Sequence, residues 1–218
     1  SSVKETGKPD SASSQTLVYQ QNNVHDFAWF ASKKFTVLHD TLQLKSRIID
    51  VYAYYDSANG NAWKKTIRYI KAAITTKSEW LGEYPYDIVS VVERPEDNGG
   101  GMEYPAITLI SGTSNEKMMD FLINHEVGHN WFYGILASDE RSYPWMDEGM
   151  NSYYDKRYAL QQYGKTGVDF LGSESPFLRK REPNDIQETL LSTIVSLKKD
   201  QPISTPSEKF SNVNYNLV

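Results

Sequence analysis

Two histidines and a glutamate fall within five residues of the otherwise apolar stretch "INHEVGHNWFYG", residues 123–134. Residues four apart on a helix lie on one face about a turn apart, so His125 and His129 can reach a single ion. Glu126 lies about 100° round the helix, beside the ion rather than on it. From there it can take a proton from an attacking water, which is the chemistry of H-E-x-x-H. Neutral imidazole suits zinc, and a catalytic zinc keeps one of four positions open.

Such a centre needs a third protein donor. Glu148 in "PWMDEGMNSYY" is the candidate, with 18 residues between it and His129. Two histidines and one carboxylate make up one of the known catalytic zinc sets. The competing reading is a buried helix that happens to carry histidines, which is the usual fate of a lone histidine on an apolar face. With 4 His in 218 residues, composition alone yields the five-residue pattern on the order of 0.005 times. The metal reading therefore outweighs the packing one.

The elements that must position these residues follow from periodicity. Met118, Leu122, His125, His129 and Phe132 are spaced 4, 3, 4 and 3 apart, which predicts a helix over about 115–132, stopped at Gly134 and capped by Ser114. A loop over 137–143 leads to Pro144, suited to a first helical turn, and a helix over 144–163 ends at Gly164. Upstream, Trp63, Ile67, Ile70 and Ile74 form an amphipathic stripe that stops near Gly82. "YDIVSVV" (86–92) and "YPAITLI" (104–110) read as strands, with "RPEDNGGG" as the loop between them. Residues 184–199 read as a last helix.

Residues 1–16 are polar and read as a flexible leader. The Val-, Ile-, Tyr- and Phe-rich run from 17 to 52 carries strand signals, and His25 and His39 within it read as structural. Net charge is −5 with no basic stripe, which argues against nucleic acid as a partner. No apolar run approaches membrane-spanning length. Without cysteine there is no disulfide, thiol nucleophile or cysteine-based zinc site, and the chain suits an exported or periplasmic compartment as well as a cytoplasmic one. It lacks an initiator Met and a signal peptide, and reads as a segment of something longer.

"HEVGHNWFYG…WMDEGMNSYYD" resembles the aminopeptidase N family of zinc metallopeptidases, which includes leukotriene hydrolase-like enzymes. The family pattern is H-E-x-x-H-x18-E. "GGGMEYP" (99–105) resembles its Gly-x-Met-Glu-Asn edge, with Tyr104 in place of Asn, and "NVHDFAWF" (23–30) resembles the junction between its N-terminal β domain and catalytic domain. The resemblance covers about residues 17–218. It implies an α+β, thermolysin-like catalytic domain over 53–218, truncated at its C-terminal end and preceded over 17–52 by the tail of a β domain. The parent's remaining N-terminal and C-terminal domains are missing.

The same resemblance implies one zinc ion and peptide substrates with a free N-terminus, whose first bond is hydrolysed with Glu126 as general base. Gly100, Gly101 and Met102 would offer backbone to the peptide, and Glu103 would bind its α-amine. Asp155, seven positions after Glu148, would orient a zinc histidine. Tyr215, 67 positions after Glu148, would be the tyrosine that stabilises the oxyanion, although the Lys-Gly that follows in the family is absent. An endopeptidase or epoxide hydrolase on the same centre, or a catalytically weak peptide-binding fragment, remain the alternatives.

Overall fold

The computed structural model describes residues 2–5, 17–94, 100–113, 115–164 and 183–215, without the side chains of 2–5, 183–188, 213 and 215. Alternating burial builds the main sheet. In β4 (Ile48–Asp56), Ile49, Val51, Ala53 and Tyr55 point into the core while Asp50, Tyr52 and Tyr54 point away. β4 pairs antiparallel with β3 (Phe35–Gln43) and parallel with β5 (Ile88–Glu93). β5 runs parallel to β7 (Ile107–Ile110), which pairs antiparallel with the edge strand β6 (Gly101–Tyr104). The order is β3-β4-β5-β7-β6.

Three expectations need correction here. The run 104–110 is not one strand. Pro105 interrupts it and Ala106 takes φ 65°, so β6 turns back on β7, and β6 begins at Gly101, inside the expected loop. The boundary at 52/53 falls in the middle of β4, whose ladders tie β3 and β4 to β5; these strands share one sheet with the segment assigned to the catalytic unit. Within the polar leader, Ser2–Glu5 forms β1, which pairs antiparallel with β2 (Leu17–Gln20) because backbone groups can pair whatever the side chains.

A short α1 (Gly60–Trp63) and then α2 (Thr66–Leu81) form the crossover between the parallel strands β4 and β5. The helical stripe buries Trp63, Ile70, Ala73 and Ile74 against the sheet, and Gly82 ends the helix at φ 108°. Glu93, at the end of β5, is buried but satisfied. It accepts from Trp63 Nε1, Asn59 Nδ2 and the Asp56 amide at 3.1, 2.7 and 2.6 Å, tying the sheet to the start of the crossover.

α3 (Glu116–His129) packs across α2 and the sheet through Met119, Ile123 and Val127. Its cap is Asn115 rather than Ser114: the Asn115 side chain accepts from the amides of Lys117 and Met118, both at 3.1 Å. α3 does not run to Phe132 as an α-helix. It passes at Asn130 into a π-helical turn, Asn130–Ile135, and a second π turn, Trp145–Gly149, leads into α4 (Met150–Tyr163). Such widened turns recur at functional sites, because they re-aim side chains that a regular helix would place elsewhere. α5 (Pro183–Ser196) and α6 (Asn212–Tyr215) follow. Among the described residues, no helix is long and apolar enough to cross a membrane.

Candidate metal centre

His125 and His129 project from the last turn of α3, and Glu148 comes from the π turn before α4. The two Nε2 atoms lie 3.3 Å apart, and Glu148 Oε2 lies 3.4 Å from one and 3.8 Å from the other. Zinc bonds of about 2.0–2.1 Å in a tetrahedron set donor atoms about 3.4 Å apart, so the three donors fit that ion.

The chemistry of the donors agrees. His125 Nδ1 lies 2.6 Å from Asp155 Oδ2, and His129 Nδ1 lies 2.5 Å from Asp147 Oδ1. Each carboxylate accepts the Nδ1 proton, which leaves a lone pair on each Nε2. Two lone pairs and a carboxylate oxygen then converge, and only a cation between them relieves their repulsion. Burial works against charge on His129, yet its bond to Asp147 and the nearby Glu103 hold its pKa up at about 9. Burial likewise opposes His125, and Asp155 outweighs it.

Glu126 is buried, and burial lifts its carboxyl above the ordinary range against the pull of both histidines. Its Oε2 has no hydrogen-bond partner. The rest of the carboxyl abuts the edge strand: a Cβ on Gly101 would collide with Glu126 and with the Leu109 carbonyl. Glycine at 101 is therefore what lets β6 approach the helix this closely.

Glu103 is also buried, on β6, and burial pushes its carboxyl up to about 8, with His129 opposing and Glu126 and Asp147 adding. One donor atom each from Glu103, His129 and Asp147 lie within 4.8 Å of one another, so Glu103 backs onto the same centre. Met102 lies beside it on β6, its carbonyl accepting from Thr108 Oγ1 at 2.9 Å. Gly100, exposed at φ 73°, gives its carbonyl to the Ser111 amide at 3.0 Å. Tyr104 packs against Phe30, with ring centroids 6.2 Å apart, and the neighbouring His25 and Asp26 engage Tyr133 in the first π turn. Tyr215 ends α6, and its side chain lies outside the described residues.

The sequence reading missed four residues. Asp147 directly precedes Glu148, and an acid beside a ligand was the available signal. Asn151 donates to the His125 carbonyl at 2.8 Å, holding α4 against α3. Lys77 occupies a buried stripe position of α2, where a lysine is out of place. Asn130 accepts from the Ala106 amide at 2.9 Å and donates to the Val127 carbonyl at 2.8 Å, clasping the β6–β7 turn onto the metal helix. Asn130→Ala leaves that buried amide unpaired and is expected to cost about 1–3 kcal/mol, read as a lower urea midpoint.

No family model matches the chain. It is similar to leucine aminopeptidase 2 of Sclerotinia sclerotiorum, 28% identical over 92 residues, covering 40% of this chain and 15% of that protein. It is also similar to human aminopeptidase B, 24% identical over 132 residues, covering 51% and 20%. The chain thus matches well under a quarter of the length of these curated relatives. Among solved structures, an M1 zinc metallopeptidase from Deinococcus radiodurans aligns with TM-score 0.57 and 17% identity, covering 83% of this chain and 37% of that one. A variant of that enzyme has been solved with a Tyr-Ser-Ala substrate. The structural likeness carries the fold, and the sequence relatives lie within one group of enzymes: the chain is similar, over part of its length, to aminopeptidases and to M1 zinc metallopeptidases.

Proposed function

We propose that the chain carries the catalytic unit of a zinc aminopeptidase, thermolysin-like in arrangement, with Glu126 as the general base that prepares a water to attack the first peptide bond. One observation carries this reading. The three donor atoms of His125, His129 and Glu148 converge within 3.8 Å while both Nδ1 protons are already committed to carboxylates. These three residues would hold the zinc, which when bound polarises a carbonyl and acidifies water.

The chain's own groups do the rest. Glu126 has no partner for Oε2, and its raised pKa moves it toward neutral pH, where a carboxylate can both take and return a proton. It accepts the proton of the attacking water and delivers it to the departing amine. The edge of β6, through Gly101 and Met102 with Gly100 just before them, lays the peptide backbone alongside, as exposed strand edges do. The oxyanion role that the family resemblance implies for Tyr215 falls on a side chain outside the described residues.

Glu103 sets where the enzyme counts from. Buried beside His129, its carboxylate is costly without a cation, and a substrate ammonium supplies one. The Tyr-Ser-Ala complex of the Deinococcus enzyme and the aminopeptidase names of the relatives support a free-amine peptide as substrate. The test compares aminoacyl anilides with N-acetylated peptides. Glu103→Gln should lower kcat/KM on the free-amine substrate about 10²-fold or more, the range for one charged partner of about 3 kcal/mol. Equal loss on both substrates, or no loss on either, favours the endopeptidase reading.

A further inference from the structure

We propose that Lys77, on α2, is a positioning residue of the metal centre, acting on His125 through Asp155. This rests on the zinc reading above and goes beyond it, because α2 supplies none of the ligands, base or peptide-binding groups. Lys77 is fully buried. Its Nζ lies 3.2 Å from Asp155 Oδ1 and 3.5 Å from Asn151 Oδ1. A buried ion pair is a poor way to gain stability, since an apolar side chain of similar volume serves as well or better. A lysine in the stripe that otherwise buries Ile70, Ala73 and Ile74 needs another reason.

The geometry supplies one. Asp155 accepts three donors with its two oxygens: Asn124 Nδ2 at 2.7 Å and Lys77 on Oδ1, and His125 Nδ1 at 2.6 Å on Oδ2. Lys77 and Asn124 fix the rotation of the carboxylate, so Oδ2 points at His125 and the His125 Nε2 lone pair points at Glu148 and His129. Asp155 is also the carboxylate whose charge the Lys77 ammonium offsets. The metal helix makes room for it: a Cβ on Gly128, inside the "HEVGH" run, would collide with Lys77 Nζ and Asn151 Oδ1. Glycine at 128 is thus accounted for by a residue 51 positions earlier in the chain.

The test is a double-mutant cycle on zinc affinity. Metal-free parent, Lys77→Met, Asp155→Asn and the double variant are titrated with zinc against a fluorescent chelator, with near-UV circular dichroism confirming the fold. Each single variant is expected to weaken zinc binding about 10–100-fold, and the double variant to be no weaker than Asp155→Asn alone. Should Lys77→Met not fold, Lys77→Gln, which keeps a donor toward Asp155 but no charge, takes its place. A lysine variant that binds zinc within about twofold of the parent while melting earlier overturns the proposal, and so do losses that multiply in the double variant. A parent protein that binds no zinc overturns the zinc reading instead, a result the cycle separates from both.

Discussion

Glu126→Gln is expected to keep its zinc and lose turnover by about 10²–10⁴-fold, the range supplied by a positioned general base. The amide has nearly the shape of the carboxyl, so it fits the space between α3 and Gly101, where an added Cβ on the strand already has no room. Glu126 makes none of the close contacts among the three donors, so zinc content should stay at one per chain. The measurement pairs metal analysis with hydrolysis of an aminoacyl anilide at saturating substrate. The loss should appear in kcat, because the role proposed for Glu126 is to act on the water rather than to hold the peptide. Unchanged kcat in a fully metallated Glu126→Gln protein would sink the mechanism, and a matching loss of zinc would make the glutamate structural.

Glu148→Ala should abolish tight zinc binding, by more than the 10–100-fold typical of residues that only orient ligands. Glu148 is the donor that the π turn at Trp145–Gly149 brings to the histidine pair, and the only one of the three outside α3. The effect can be read without activity. Zinc at 100 times its dissociation constant stabilises the folded parent by about 2.7 kcal/mol, and at this chain length that raises Tm by roughly 5–10 °C. Glu148→Ala should show no such rise, and His125→Ala should behave in the same way. A parent melting curve indifferent to zinc would remove the basis for both expectations.

Much of this centre was legible from residue types and spacing. His125, Glu126 and His129 were readable because helical periodicity is local and four residues make a turn. Glu148 was readable because the zinc set needs a third donor and a loop separates two predicted helices. The helix α2, over Thr66–Leu81 within the expected stripe from Trp63 to Gly82, and the strand β5 near the expected 86–92 emerged from the same kind of local pattern. Where signals competed over one or two residues, the reading slipped: Ser114 and Asn115 are both good caps, and only hydrogen-bond geometry separates them.

The rest depends on contacts between residues far apart in the chain, which no local pattern encodes. That β3 and β4 join the sheet of β5 is a fact of strand pairing, and pairing partners are not written in either strand alone. That Gly101 faces Glu126, that Asn130 clasps Ala106, and that Lys77 lies under Gly128 against Asp155 all follow from how α2, α3 and β6 pack together. The sequence by itself marked the atoms proposed to bind a metal and move a proton. Only the tertiary structure decided what holds those atoms in place, because orientation in a buried polar network is set by partners that folding brings together.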